Sequence, residues 1–261
     1  METSDLKENT RCGRIDGILS DLNKTRRFVE LYNGSKLQTY ETRNSYYEER
    51  GVTSMTPKKE GAPEENMDFF DKTARVFRLE KIGDPNTYLL LRAINRKLAG
   101  LIPSELSLYS IEELIELSEK KGLGFNKDKL FNSTISEESK EKFKGLLSRF
   151  QNSSRVYELG GLCGKDNSRL GTMELIYSIS RFGCDDDWDL EIQTCHPKHV
   201  PIYLAAGLPY KSINPRGNSK KEFEPYLDYL GRPAVTMYLI IKELREALPN
   251  LEKRAMTTVN N

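Results

Sequence analysis

Glu158 is the residue around which chemistry can be built. It stands in Val156-Tyr157-Glu158-Leu159-Gly160-Gly161-Leu162, an alternating strand-like run with two glycines just beyond the acid. A solvated glutamate, with a pKa of about 4.3, is a weak base, but partial burial on a sheet raises it toward the about 6–7 useful in catalysis. Two readings fit. Glu158 is a general base, directly or through a water, or it is a structural or substrate-orienting carboxylate paired to an arginine such as Arg92. The glycine pair suits a β-bulge whose backbone N–H points at a developing oxyanion, with Gly161 the candidate; equally, glycines let another backbone pass closely.

Tyr203 lies four residues before Gly207. A phenol with a pKa of about 10 can serve as a general acid, or simply pack in a core. The stretch Ser168-Arg169-Leu170-Gly171-Thr172-Met173 precedes an apolar helical pattern, and its free N–H groups and positive dipole end suit a phosphate. His196 and His199, the two histidines of the chain, form H-x-x-H with no third ligand at a fixed spacing, so no metal is expected. Cys12, Cys163, Cys184 and Cys195 show no framework or CxxC spacing and read as reduced thiols.

Composition sets the frame for these groups. The 261 residues are enough for one domain with a sizeable core, at 37% hydrophobic and 30% charged content. A net charge of +1 gives no global field toward nucleic acid or a membrane surface, so any basic patch must be local. There is no apolar run of spanning length and no apolar region at the N-terminus of a signal type, which gives the expectation of a cytoplasmic protein.

Periodicity predicts the elements that position the site. Ile15, Ile18, Leu19 and Leu22, continuing toward Phe28 and Leu31, predict a helix within an N-terminal segment 1–35. Segment 36–43 reads as a strand, 46–50 as a short helix, and 52–66, rich in Pro, Gly and charge, as a loop. Ala74–Ile82 and Thr87–Ile94 flank Gly83-Asp84-Pro85-Asn86 and predict a hairpin. Residues 104–150 read as a helical insertion, with capping boxes at Ser110/Glu113 and Thr134/Glu137 and an apolar face of Phe143, Leu146, Leu147 and Phe150. Its role is to pack on the sheet or to wall a substrate channel. Strand Arg155–Cys163, helix Thr172–Phe182 and strand Asp189–Cys195 form a right-handed βαβ unit with parallel strands. A helix from Pro201, a strand Pro233–Leu239 and a helix Ile240–Leu248 complete the order.

Several motifs in this order resemble the GNAT acyltransferases, in the branch of the N-acyl amino acid synthases and acyl-homoserine-lactone synthases. Cys195-His196-Pro197-Lys198-His199-Val200-Pro201-Ile202-Tyr203 through Leu208 is similar to the synthases' NPRHVPFYxxxGF. Arg43 to Tyr47 resembles R-x-x-x-F, Asp68 and Asp71 resemble D-x-x-D, Arg92 sits at the hairpin arginine, and Glu158 at the glutamate of ELSRF. The resemblance covers roughly 36–240 and is weakest over the insertion. One departure is that Gly161 replaces the second arginine of the last motif.

The resemblance implies an α/β (α+β) fold: a mixed, mostly antiparallel twisted sheet with a splayed central parallel pair, flanking helices and the insertion, in one domain over 36–261. It implies transfer of a fatty acyl group from a phosphopantetheine thioester, on acyl carrier protein or CoA, to the amine of an amino acid or similar small molecule, without a metal. Glu158, Tyr203 and Gly161 would be catalytic. Leu162, Cys163, Arg169, Gly171 and Thr172 would hold the donor, and Arg43, Tyr47, Asp71 and Arg92 the substrate side. Met173 stands where the family's phosphate turn has a second small residue, which favours a donor with a single phosphate. An acidic carrier would need a basic landing surface, for which Lys198, Lys211, Arg216, Lys220 and Lys221 are candidates. The rival readings are a lactone synthase proper, disfavoured by Gly161 and by the lack of a tryptophan after Tyr47; a small-acyl transferase using acetyl-CoA; and a non-catalytic relative that binds a lipid or partner.

Overall fold

In the computed structural model the described residues are 26–31, 69–166, 168–213 and 223–249. Strands β1 (Arg26–Leu31), β2 (Ala74–Lys81), β3 (Asp84–Asn95), β4 (Val156–Gly164), β5 (Leu190–Cys195), β6 (Lys211–Ser212), β7 (Tyr226–Leu227) and β8 (Pro233–Ile240) build one sheet in the order β1-β2-β3-β4-β5-β8-β6, with β7 beside β8. All pairings are antiparallel except β4 with β5. The helices are α1 (Arg96–Ala99), α2 (Ile111–Lys121), α3 (Glu137–Arg149), α4 (Arg169–Asp185), α5 (Val200–Ala205) and α6, spanning 241–249. A mostly antiparallel sheet with one central parallel pair and an α4 crossover is the GNAT-like architecture expected from the sequence.

The predicted helix toward Leu31 is corrected. Residues 26–31 form an edge strand, in register from Arg26 opposite Lys81 to Leu31 opposite Val76. Phe28 stacks on Phe77 at 5.5 Å between centroids, and a strand, not a helix, puts that ring on the sheet's apolar face. The calls on 1–25, 36–43, 46–50 and 52–66 lie outside the described residues.

Two apolar layers cover the sheet. On one side Phe77, Leu91, Leu159 and Leu239 meet Leu175, Ile176, Ile179 and Phe182 of α4, with Tyr203 of α5 and Leu244 of α6. The period-3.6 stripe of α4 therefore does what it predicts. Its start is earlier than expected, because Ser168 caps it by accepting the Gly171 N–H at 3.0 Å. On the other side Ile94, Val156, Leu190 and Ile192 meet Leu106, Leu114, Phe143, Leu146 and Leu147 of the insertion. The insertion packs on the sheet, with the Ser110/Glu113 capping box in place. The second box does not form: Ser136, not Thr134, caps α3, accepting the Ser139 N–H at 3.2 Å.

Candidate active site

The parallel pairing of β4 and β5 ends at Leu159 opposite Gln193. Beyond that point β4 runs on to Gly164 against β3 alone, and β5 runs on to Cys195 against β8 alone. The two central strands therefore diverge into an opening. Its β4 side starts with a bulge, since Leu90 and Arg92 of β3 face Cys163 and Gly160, leaving one extra residue on β4. Gly161 there has φ of 72°, in the left-handed region, and a Cβ would lie 3.3 Å from Arg92 Nε. Both strain and crowding thus demand glycine. A side chain at 161 would press on Arg92, which would have to shift by a few tenths of an ångström.

Glu158 sits one residue before the pairing ends, opposite Ile192, and is 3% exposed. Its Oε2 accepts the Ser104 N–H at 2.9 Å and the Ser104 O–H at 2.8 Å. Ser104 belongs to a 3₁₀ turn, Pro103–Leu108, at the entry of the insertion. Burial pushes the Glu158 carboxyl up to about 7; Ser104 and Arg92 pull it down, and neighbouring Glu105 adds to the rise. Arg92, which acts on Glu158 through its charge, forms an ion pair with the fully buried Asp71 in the turn Phe69–Lys72. Arg92 also lies along the bulge, so the Asp71 pair fixes the guanidinium beside the opening.

Tyr203 is almost wholly buried on the opposite face of the sheet, its ring T-shaped against Tyr210 at 5.8 Å. Tyr210 donates to Glu191 Oε1, which also accepts the Ser180 O–H at 3.0 Å. Glu191, like Glu158, is pushed up to about 7 by burial, with its two hydroxyl partners opposing. Glu158 and Tyr203 therefore do not meet side by side. Their side chains lie on two faces of the sheet.

Leu162 and Cys163 continue β4 past the bulge; Leu162 packs against the α4 layer and Cys163 is buried beside Val76 and Leu90. Arg169 is exposed at the first position of α4, while Gly171 and Thr172 are buried, with Thr172 Oγ1 donating to Ser168 O at 3.2 Å. Arg43, Tyr47 and Asp68 lie outside the described residues, as do Arg216, Lys220 and Lys221. Lys198 is exposed, and Lys211 is paired with Glu243 at 2.6 Å. His196 and His199 are 6.1 Å apart between centroids; among the described residues no group of three or more metal-ligating side chains occurs. Among the described residues no helix is long and apolar enough to cross a membrane.

Sequence reasoning missed three parts of this region. Ser104 holds the carboxylate from 54 positions away, and nothing local in Pro103-Ser104-Glu105 signals that. Tyr226 hydrogen-bonds Thr236 Oγ1 at 2.7 Å, and Thr236 meets Thr194 Oγ1 at 2.9 Å. Burial, with lesser contributions from Asp228 and Glu158, keeps the Tyr226 phenol protonated well past its ordinary range. Tyr226 and Thr236 also line a cavity of about 200 Å³, with serine and threonine residues, Glu224 and the apolar Ile135, Ile213 and Pro225.

Sheet order, parallel pair and splay make this a GNAT-like fold, and comparison with known proteins adds structural likeness at low identity. No family model matches the chain, and no curated protein matches it. Among solved structures, it is similar to FeeM, an N-acyl amino acid synthase from uncultured soil microbes, with 14% identity, 85% of this chain and 95% of that one covered, and a TM-score of 0.47. The acyl-homoserine-lactone synthase LasI is similar at 11% identity, covering 83% and 89%, with a TM-score of 0.44. An agmatine N-acetyltransferase is similar at 16%, covering 82% and 99%, with a TM-score of 0.44. At these values the site stands on its own geometry.

Proposed function

We propose that this protein is an N-acyltransferase that moves a fatty acyl group from a phosphopantetheine thioester, on acyl carrier protein or CoA, to the amine of an amino acid or similar small amine. The observation that carries the reading is Glu158: a buried carboxylate, held by one serine and pushed up to about 7, one residue short of an opening in the sheet. A base with that pKa is half ionised near neutrality and still strong enough to accept a proton from an attacking ammonium.

In this reading the thioester enters between the diverging strands. The amine approaches from the Glu158 face, where the cavity lined in part by Tyr226 and Thr236 gives a polar approach. Glu158 takes a proton from the ammonium, directly or through a water, and the free amine attacks the thioester carbonyl. The C–N bond forms, the carbonyl oxygen takes the negative charge, and a backbone N–H of the Gly160–Gly161 bulge donates to it. The tetrahedral centre collapses as the C–S bond breaks, and Tyr203, from the other face, gives its proton to the thiolate; the nitrogen sheds its second proton to water, the Tyr203 phenolate regains one from water, and Glu158 releases its own to solvent. Asp71 and Arg92 hold the bulge and the turn before β2 in place.

Mass spectrometry of lipids from cells expressing the protein tests this reading. New N-acyl amino acids, absent when Glu158→Gln is expressed, are the expected result. A lipid profile unchanged by expression, together with no acyl transfer by the purified protein from acyl carrier protein or acyl-CoA, would contradict it.

A further inference from the structure

The turn before α4 is where a phosphate would meet free backbone N–H groups and the positive end of a 17-residue helix. Here a carboxylate of the chain already occupies that ground. Asp166 Oδ1 accepts the Ser168 N–H at 2.9 Å, and Ser168 Oγ accepts the Gly171 N–H at 3.0 Å. Asp166 Oδ2 accepts both Nε and Nη2 of Arg26, at 3.2 and 3.0 Å, and Arg26 Nη2 reaches Ser168 Oγ at 3.3 Å. The remaining nitrogen, Nη1, donates to Glu174 Oε2 at 3.3 Å. Glu174 is 1% exposed, and its Oε1 is buried with no hydrogen-bond partner among the described residues.

Gly171 shows what this turn is shaped for. A Cβ there would stand 2.6 Å from Asp166 Oδ2 and 2.9 Å from Ser168 Oγ. The glycine thus makes room for an internal carboxylate. Charge leads to the same conclusion, since two acids share the single guanidinium of Arg26 and none of it is in surplus for an incoming anion. Burial opposes the Asp166 anion, but its Ser168 bonds and Arg26 outweigh that and hold the carboxyl below its usual range. Glu174 is pushed the other way, up to about 7, by burial and by Asp166 beside it, against Arg26.

We infer that Asp166 sets donor specificity: as a built-in anion at the N-terminus of α4, it removes that turn as a phosphate site, so the donor is held by its acyl chain and pantetheine arm and gains nothing there from phosphate. This rests on the acyl-thioester reading above and adds to it that neither the 4′-phosphate of a carrier-bound arm nor the diphosphate of CoA is held at that turn.

The test is a series of three S-decyl thioethers, on pantetheine, on 4′-phosphopantetheine and on CoA, titrated calorimetrically into the wild type and into Asp166→Asn. In the wild type the affinities should agree within about threefold along the series. In Asp166→Asn the CoA compound should gain about tenfold or more over the pantetheine compound, because the built-in negative charge is gone and Arg26 is released toward phosphate. A wild type that binds the CoA compound more than about tenfold tighter than the pantetheine compound overturns the inference, and so does an Asp166→Asn variant, folded by its melting curve, with an unchanged ratio. The wild-type ratio decides the matter if that variant fails to fold. Binding of none of the three by the wild type would contradict the acyl-thioester reading itself and the inference with it, a result distinct from tight CoA binding.

Discussion

Glu158 and Glu191 are the same acid on adjacent strands, and their difference shows what separates a site from a core. Both are buried, both are held by hydroxyls, and burial pushes both up to about 7. Their side chains face opposite sides of the sheet. Glu191 is opposite Tyr157, inside the paired part of the strands, with Ser180 of α4 and Tyr210 closing over it. Glu158 is next to the last paired position, below a left-handed glycine and beside the opening. A raised pKa is therefore common to both, and what distinguishes them is the face each takes and its position relative to the splay.

The largest effect that would sharpen the contrast is on turnover. Glu158→Gln keeps the shape but cannot take a proton, and should lower kcat/KM by about 10²–10⁴-fold. Glu191→Gln should stay within about fivefold of wild type. Equal losses from the two variants would erase the distinction.

Tyr203→Phe comes next, with an expected loss of about 10–1000-fold in turnover and little change in melting temperature. Because Tyr203 faces Tyr210 across the layer that holds Glu191, an unchanged rate would return that whole face to core packing.

Stability should depend on pH through both acids. Each binds its proton more tightly when folded than when unfolded, so stability falls as pH rises from about 4.5 to about 7. A carboxyl raised from 4.5 to about 7 sets a ceiling of about 3 kcal/mol on its share of that loss. Chemical denaturation at pH 5 and pH 8 checks this; each Glu→Gln variant should flatten the slope, and a wild type equally stable at both would contradict it. The smallest effect is expected from Ser104→Ala. Losing one hydrogen bond to the ionised carboxyl should move the acidic limb of the rate profile upward by less than about one pH unit, with no such move for Ser180→Ala.

The frame of this region was legible because its signals are local. Leu175, Ile176, Ile179 and Phe182 recur at helical spacing, and Leu190 and Ile192 alternate, so the βαβ unit follows from period alone. Glu158 and Gly161 were legible through motif order and glycine chemistry. The strand at 26–31 was hidden because two apolar neighbours, Phe28 and Val29, continue the helical spacing upstream, while the stacking on Phe77 that decides the matter comes from about 50 residues away. Ser104 was hidden for the same reason. Asp166 was in plain view, two residues before a serine N-cap, but a turn before a helix reads as a phosphate site until the carboxylate is seen to fill it.

The pH dependence of kcat/KM, measured for wild type, Glu191→Gln and Glu158→Gln with one acyl donor and one amine, tests the central claim most directly. Wild type and Glu191→Gln should both lose activity below an apparent pKa of about 7, and Glu158→Gln should lack that limb, its residual rate rising only as free amine becomes available. An acidic limb near 7 that persists in Glu158→Gln, or one that vanishes in Glu191→Gln, would contradict the assignment of Glu158 as the base.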